Sequence, residues 1–547
     1  MRNLLFMCAL VMSVVLASCG RSKTEVDFIF TNATVITMDG SNAILESIAV
    51  KDGKIVGVGT DESIATLFES DSVKDMTGKF IYPGFIDGHA HFEGYAIGLR
   101  QCNLVGTKSW SDVLKRVKDF IPNNKLPWIV GRGWDQNDWT EKAWPDRYML
   151  DSLYPQQPVL LERIDGHAAI ANGAALRIAG INDSTIINGG ELLKREDGSL
   201  SGVLIDNAVD LVKRKMPEPS AVVYNEALNE AQNNCFRVGL TSVVDAGLMH
   251  EKIKRLDQLQ KDGRLKIRIY AMLSDSQPNY DHYLVHGPYK TDRMNVRSFK
   301  LYADGALGSR GACLLESYSD RPGYKGLLLN TAEHFEKRMR QAQSKGFQVN
   351  THCIGDSANR LILQLYGKVL KDDQQRWRIE HAQIVNPADI PFFKKFGVIP
   401  SVQPVHATSD MYWAESRIGA VRMKHAYSYK TLIEGAGIAA LGTDFPVEDI
   451  NPLNTFYAAV ARKNSTGIPP AGFIPEEKLD RLTTLKGMTI WAAYANFEEQ
   501  EKGSIEPNKF ADFTILDRNL LTCKEEDILK TRVLATFING ELVFSQR

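Results

Sequence analysis

The sequence predicts an α/β chain: a (β/α)8 TIM barrel, a small composite β-sandwich domain drawn from both termini, and a subdomain inserted after the first barrel strand. Three observations predict it. Short apolar runs alternate eight times with helix-length stretches. Period-two alternation of apolar and polar residues marks both ends of the chain. One connection, residues 92–238, is far longer than a barrel loop and helix need.

The terminal elements come first in the chain. Asp27 to Val58 alternates through FIFTNATVITMD and ESIAVKDGKIVGVG, with a hairpin turn at Asp52-Gly53. The far end shows the same pattern in ADFTILD and RVLATFINGELVF, turning at Asn539-Gly540. Residues 27–82 and 503–547 are therefore expected to form one composite β domain.

The barrel is expected over residues 83–502, with strands in FIYPGFID, GLTSVVDAG, KIRIYAML, VRSFKLYADG, FQVNTHC, WRIEHAQ, GVIPSVQP and GIAALGTD. Eight strands of this kind close a parallel barrel, whose active site lies at the C-terminal rim. Several strands end on ionisable residues: His89 and His91, Asp245, Lys300, His352, His381 and Asp444. The insert carries WIVGRGWDQNDW and a hairpin, GELLKREDGSLSGVLID, turning at Asp197-Gly198. An insertion on the catalytic rim suits a lid or specificity element.

Composition excludes other classes. Lysine and arginine total 65 against 66 acids, a net charge of -1, so no basic face exists to hold nucleic acid. Arg2, the apolar run Leu4 to Leu16 and the small residues before Cys19 suit a signal peptide, the run being shorter than the about 20 residues of a membrane span. Leu16-Ala17-Ser18-Cys19 resembles a bacterial lipobox. The expectation is an exported, membrane-anchored lipoprotein, with residues 1–19 as signal and lipid on Cys19, facing the periplasm or cell exterior. Five cysteines then remain, widely scattered and without a C-x-x-C pair, which reads as buried thiols rather than a disulfide framework.

The sharpest local pattern is PGFIDGHAHFEG. His89 and His91 stand two apart at a strand end, so both imidazoles share a face and can reach one metal, although such a pair also serves simple hydrogen bonding. His352, His381 and Asp444 at other strand ends add donors that suit zinc and similar divalent ions. Lys300 is out of place as an ammonium beside cations. Reaction with carbon dioxide to a carbamate would make it a bridging anion; a pair with Asp304 or another rim acid is the alternative.

Taken together, PGFIDGHAH, GRGWDQ, DGHAAIANGAAL, KLYADGALGSRGA, THCIGDSAN, RIEHAQ, SVQPVHATSD, LGTDFPVED and KGSIEPNKFADFTILD resemble the metal-dependent amidohydrolase superfamily. The resemblance spans nearly the whole mature chain and points to the branch that includes N-substituted formamide deformylases. It implies two divalent metal ions, with zinc the first expectation. His89, His91 and Asp444 would hold one, His352 and His381 the other, and carboxylated Lys300 would bridge them. Departures from the family pattern fall at Cys353, Asn508 and Asp206 and touch substrate details.

The implied activity is hydrolysis of a carbon–nitrogen bond, in a non-peptide amide or formamide-like small molecule, by a metal-activated hydroxide. Asp444 is the expected general base and then acid. His167, beside Asp165, is a candidate donor to the substrate or an oxyanion, or else a histidine buried in the insert. Trp134, Trp139 and Trp413 are candidates to line an apolar pocket, although aromatics in such segments are more often core, and Arg310, with Asp304, to order the loop after strand four or to meet a carboxylate substrate. The alternatives are a mononuclear deaminase or cyclic amide hydrolase on the same fold, and a non-catalytic solute-binding lipoprotein. The sequence is compatible with a homo-oligomer.

Overall fold

A computed structural model describes residues 23–124 and 126–546. The signal and the lipid expected at Cys19 lie outside the described residues. Eight parallel strands form the central sheet: Phe85–Ala90 (β1), Leu240–Leu248 (β2), Arg268–Ser274 (β3), Met294–Tyr302 (β4), Gln348–Cys353 (β5), Arg378–His381 (β6), Ile399–Val402 (β7) and Ala440–Leu441 (β8). Neighbours in the chain are neighbours in the sheet. The two ends close through residues just beyond β8. Asp444 N–H donates to the His89 carbonyl at 2.7 Å, and His91 N–H to that of Phe445 at 2.8 Å.

That closure explains a glycine and an acid in the first motif. A Cβ on Gly88 would stand 2.7 Å from the Leu441 carbonyl oxygen, so only glycine lets β1 approach β8. Buried Asp87 accepts hydrogen bonds from the Thr443 amide at 3.0 Å and hydroxyl at 2.6 Å, pinning the same seam. The helices that pack outside the sheet follow the expected alternation. Asp356–Val369 buries Ile362, Leu363, Tyr366 and Val369, which three- and four-residue spacing places on one face. Thr331 and Ser220 cap the helices Ala332–Ser344 and Ala221–Arg237 by accepting amide N–H bonds.

Strands from both ends of the chain share sheets. Phe513–Leu516 pairs antiparallel with Phe80–Pro83 in a six-stranded sheet, and Phe28–Thr31 lies in a four-stranded one. Phe30, Val35, Ile48, Phe513, Ile515 and Phe537 pack in one core between them. Asp52-Gly53 and Asn539-Gly540 each take two successive positive φ angles, 50° and 72°, and 52° and 70°, as two-residue hairpin turns demand. Asn508 sits at φ 74°, which accounts for an asparagine at a turn that glycine also suits.

Two expectations need adjusting. FIYPGFID is two strands, broken at Gly84, because Phe80–Pro83 pairs with the terminal sheet and Phe85–Ala90 enters the barrel. The long connection also contains the first barrel helix, Ala221–Arg237. The insert itself is a six-stranded sheet between Cys102 and Asp206, with a separate apolar cluster on each face.

Candidate metal centre

The strand ends bring His89, His91, Lys300, His352, His381 and Asp444 together at one end of the barrel, on the wall of a cavity of about 730 Å³ that His91, Lys300, His352, His381 and Asp444 line. His91 Nε2 lies 3.2 Å from Asp444 Oδ1 and His89 Nε2 lies 3.7 Å from the same oxygen. Lys300 Nζ lies 3.1 Å from His89 Nε2. The His381 ring centroid is 4.7 Å from that of His89 and 4.6 Å from that of His352. His381 (φ 71°) and Asp444 (φ 61°) hold left-handed backbone conformations, which cost a non-glycine residue of order 1–3 kcal/mol and cluster at functional sites.

The electrostatics keep the imidazoles neutral. Burial and the Lys300 charge push His89 down to about 4, so its Nδ1–H donates to Glu380 and its Nε2 lone pair faces Lys300 and Asp444. Burial and the neighbouring His381 push His352 well below the usual range; His381 is likewise depressed by burial and by His89, and its Nδ1 pairs with Gln403 Oε1 at 2.8 Å. Burial alone would raise the Asp444 carboxyl, but the His91 hydrogen bond and the surrounding histidines hold it well below the carboxylate range. Burial pushes the Lys300 ammonium down to about 8.

This donor set fits divalent cations. His352 Nε2 and His406 Nε2 are buried without a hydrogen-bond partner among the described residues, a costly state that a cation would relieve. His89, His91 and Asp444 place one donor atom each within 4.8 Å of one another, and so do His381, His406 and Asp444. Asp304 is not the partner of Lys300: its carboxylate takes backbone N–H bonds from Cys313, Ile354 and Gly355. Asp245 lies elsewhere, accepting the Glu93 amide at the start of the helix Phe92–Gly98.

The insert lines the cavity opposite, through Arg132, Asp135, Asp138, Arg163, Asp165 and His167. Arg163 is buried between Asp135 and Asp165. His167 opens into the cavity, its ring 4.9 Å from that of His352, and Trp413 also lines the wall. Three substrate candidates do not reach it. Trp134 is fully buried in the insert, where its indole N–H donates to the Leu161 carbonyl at 2.9 Å, and Trp139 packs beside it. Arg310 pairs with Asp320 at 2.8 Å and lies off the cavity wall, so it orders its loop.

Sequence reading missed Glu380, Gln403 and His406. Glu380 adjoins His381 in β6, where strand alternation should send it to the other face; the left-handed His381 and Ala382 break that alternation. His406 follows β7 in the first turn of the helix Pro404–Asp410, and its place after an otherwise donor-free strand was the available signal.

Comparisons agree with the geometry. The model of the amidohydrolase family matches residues 72–544. Protein LONG AFTER FAR-RED 3 of Arabidopsis thaliana is 34% identical, covering 95% of this chain and 91% of that protein. N-substituted formamide deformylase of Arthrobacter pascens is 24% identical, covering 95% and 98%. The crystal structure of an uncharacterized metal-dependent hydrolase from Pyrococcus horikoshii superposes with a TM-score of 0.74 at 27% identity, covering 91% of this chain and 99% of that one. By its barrel, its converging histidines and this match, the chain belongs to the amidohydrolase family and is a metal-dependent hydrolase.

Proposed function

We propose that the chain hydrolyses a carbon–nitrogen bond of a non-peptide amide or formamide-like small molecule at a two-metal centre. The observation that carries this reading is Lys300: fully buried at the end of β4, beside His89 Nε2, with no ion-pairing carboxylate among the described residues. An ammonium there is poorly compensated. Addition of the free amine to carbon dioxide, with loss of one proton, gives an anionic carbamate able to bridge two cations.

In this reading His89, His91 and Asp444 would hold one ion, His352 and His381 the second, and carboxylated Lys300 would serve both; zinc suits such imidazole and carboxylate donors. When bound, such ions would supply a water ionisable near neutral pH, at a pKa of about 7, and a Lewis acid for the carbonyl. Asp444, ionised and facing the cavity, accepts the proton that the attacking water gives up and passes it to the leaving nitrogen, which departs poorly as an anion. His167 turns its outward nitrogen toward the amide group of the substrate. The likeness to a formamide deformylase supports a small acyl group. The Leu16 to Cys19 pattern supports export and a lipid anchor as part of the same reading.

The test is metal content by plasma mass spectrometry on protein lacking the first 19 residues, joined to assays of N-alkyl and N-aryl formamides and simple amides. About two ions per chain are expected, falling in Lys300→Ala and recovering with added short carboxylic acids. About one ion, unchanged in Lys300→Ala, would favour a mononuclear deaminase instead.

A further inference from the structure

A side-chain pair of the insert stands against the metal centre, the His167 ring 4.9 Å from that of His352. His167 Nδ1 lies 2.7 Å from Asp206 Oδ1, and the Asp206 amide donates to the His167 carbonyl, also at 2.7 Å. His167 immediately precedes the strand Ala168–Ala171, which pairs antiparallel with Leu200–Asp206, Ala168 facing Ile205. The Asp206 side chain is wholly buried, and its Oδ2 has no hydrogen-bond partner among the described residues.

Three features show the surrounding chain shaped to this carboxylate. Asp206 sits at φ 50°, ψ −123°, a conformation that costs a residue other than glycine about 1–3 kcal/mol. It precedes the helix Asn207–Lys213 at the capping position, yet its side chain makes no cap bond. The loop after β4 carries glycine at 305 and 311, and a Cβ at either would stand 2.5 Å from an Asp206 carboxylate oxygen. Neither glycine has a positive φ, so both are required by space alone. Strain, a forgone cap and a two-glycine cradle from the barrel all converge on one oxygen pair whose partner is a cavity imidazole.

We propose that Asp206 is a positioning residue: it holds His167 with Nδ1 protonated and Nε2 aimed at the reacting group of the substrate, so the insert completes a site the barrel leaves open on one side. The proposal rests on the amide-hydrolysis reading above for the identity of that reacting group. The Gly305 cradle fixes the carboxylate, the carboxylate fixes the ring, and the ring reaches the substrate.

The cradle supplies a test that a merely structural pair would fail. In the zinc-loaded enzyme, Asp206→Ala should lower kcat roughly 10–100-fold with little change in KM or zinc content, the order expected for a misaligned group. Gly305→Ala should do the same by driving the carboxylate off the ring. The double variant should be no worse than Asp206→Ala alone, because the added methyl then meets no carboxylate. In a His167→Ala background neither change should cost anything further. Losses that multiply in these doubles would overturn the proposal.

A readout independent of turnover uses ¹⁵N-labelled histidine and NMR. The wild type should show His167 protonated at Nδ1, and acetohydroxamate, an amide mimic, should shift its Nε2 resonance. Asp206→Ala should lose the first signal and weaken the second. A wild-type His167 without an Nδ1 proton, or blind to the hydroxamate, overturns the inference, whereas failure of the amide reading shows separately as no turnover of any formamide or amide.

Discussion

His89 Nδ1 is hydrogen-bonded to a carboxylate oxygen of Glu380, both side chains being completely buried, and Arg378 holds the other oxygen at 2.7 Å. The acid thus fixes both the tautomer and the direction of the imidazole. Burial would raise its carboxyl, but the Arg378 charge and the His89 hydrogen bond outweigh burial and keep it ionised.

Glu380→Ala should therefore cut zinc affinity by roughly 10–100-fold, the usual loss when the group orienting a ligand is removed. It should also cost about 3–5 kcal/mol of stability, because Arg378 is left buried without its partner. Competition against a chelating dye reads the first and urea unfolding of the metal-free protein the second. Unchanged zinc affinity would mean that His89 is oriented by its own backbone.

Asp444→Asn keeps the shape of the side chain and removes the proton acceptor. Turnover should fall by about 10²–10⁴-fold, the worth of a general base, with the circular dichroism spectrum unchanged. The backbone bond from Asp444 N–H to His89 is retained, so barrel closure should survive. A fully active variant would take Asp444 out of the proton path.

The barrel and the terminal sheets were legible because each rests on local pattern. Asp52-Gly53 and Asn539-Gly540 announce hairpins, and the alternating runs around them can bury only one face. The ligand candidates were legible because the barrel puts strand ends at one rim, so His89, Lys300 and His381 meet although they are far apart in sequence. What the sequence hid depends on departures from those rules. Glu380 joins the site only because His381 leaves the β region, and the glycine cradle at Gly305 gains meaning only once Asp206 folds onto it. Trp134 takes the core role that aromatics in such segments more often have: it fills the interior of the insert, while Arg132 and Asp135 of the same segment face the cavity.

A second buried ion pair joins the barrel to the terminal sheets: Arg268 of β3 grips Asp512 through two bonds, 2.6 and 2.9 Å. Burial would raise the Asp512 carboxyl, but Arg268 and further hydrogen bonds outweigh it and hold it below its ordinary 3.8. A depressed folded-state pKa contributes stability that is present above the unfolded value and lost as pH falls through the folded one. Asp512→Asn should therefore be less stable than wild type by about 3–5 kcal/mol at pH 7. The gap should narrow below about pH 4, where carboxylates of ordinary pKa take up protons. Unfolding followed from pH 7 to pH 2 checks it; a gap independent of pH would show that the ion pair is not the source.

Trp134→Ala and Trp413→Ala should separate packing from binding. Trp134 lies at 0% exposure among Trp139, Trp144 and the strands of the insert, so truncation should cost about 3–5 kcal/mol through the cavity it leaves. No ligand candidate comes from the insert, so zinc content should hold. Trp413 lines the substrate cavity, its ring 3.3 Å from the Cβ position of Gly308. Its loss should raise KM for bulky amides and leave kcat for small ones nearly intact, since it removes wall rather than reacting groups. Steady-state kinetics across acyl and amine sizes, set beside urea unfolding of both variants, reads the two effects. If Trp134→Ala changed KM without loss of stability, the tryptophan would belong to the substrate wall after all.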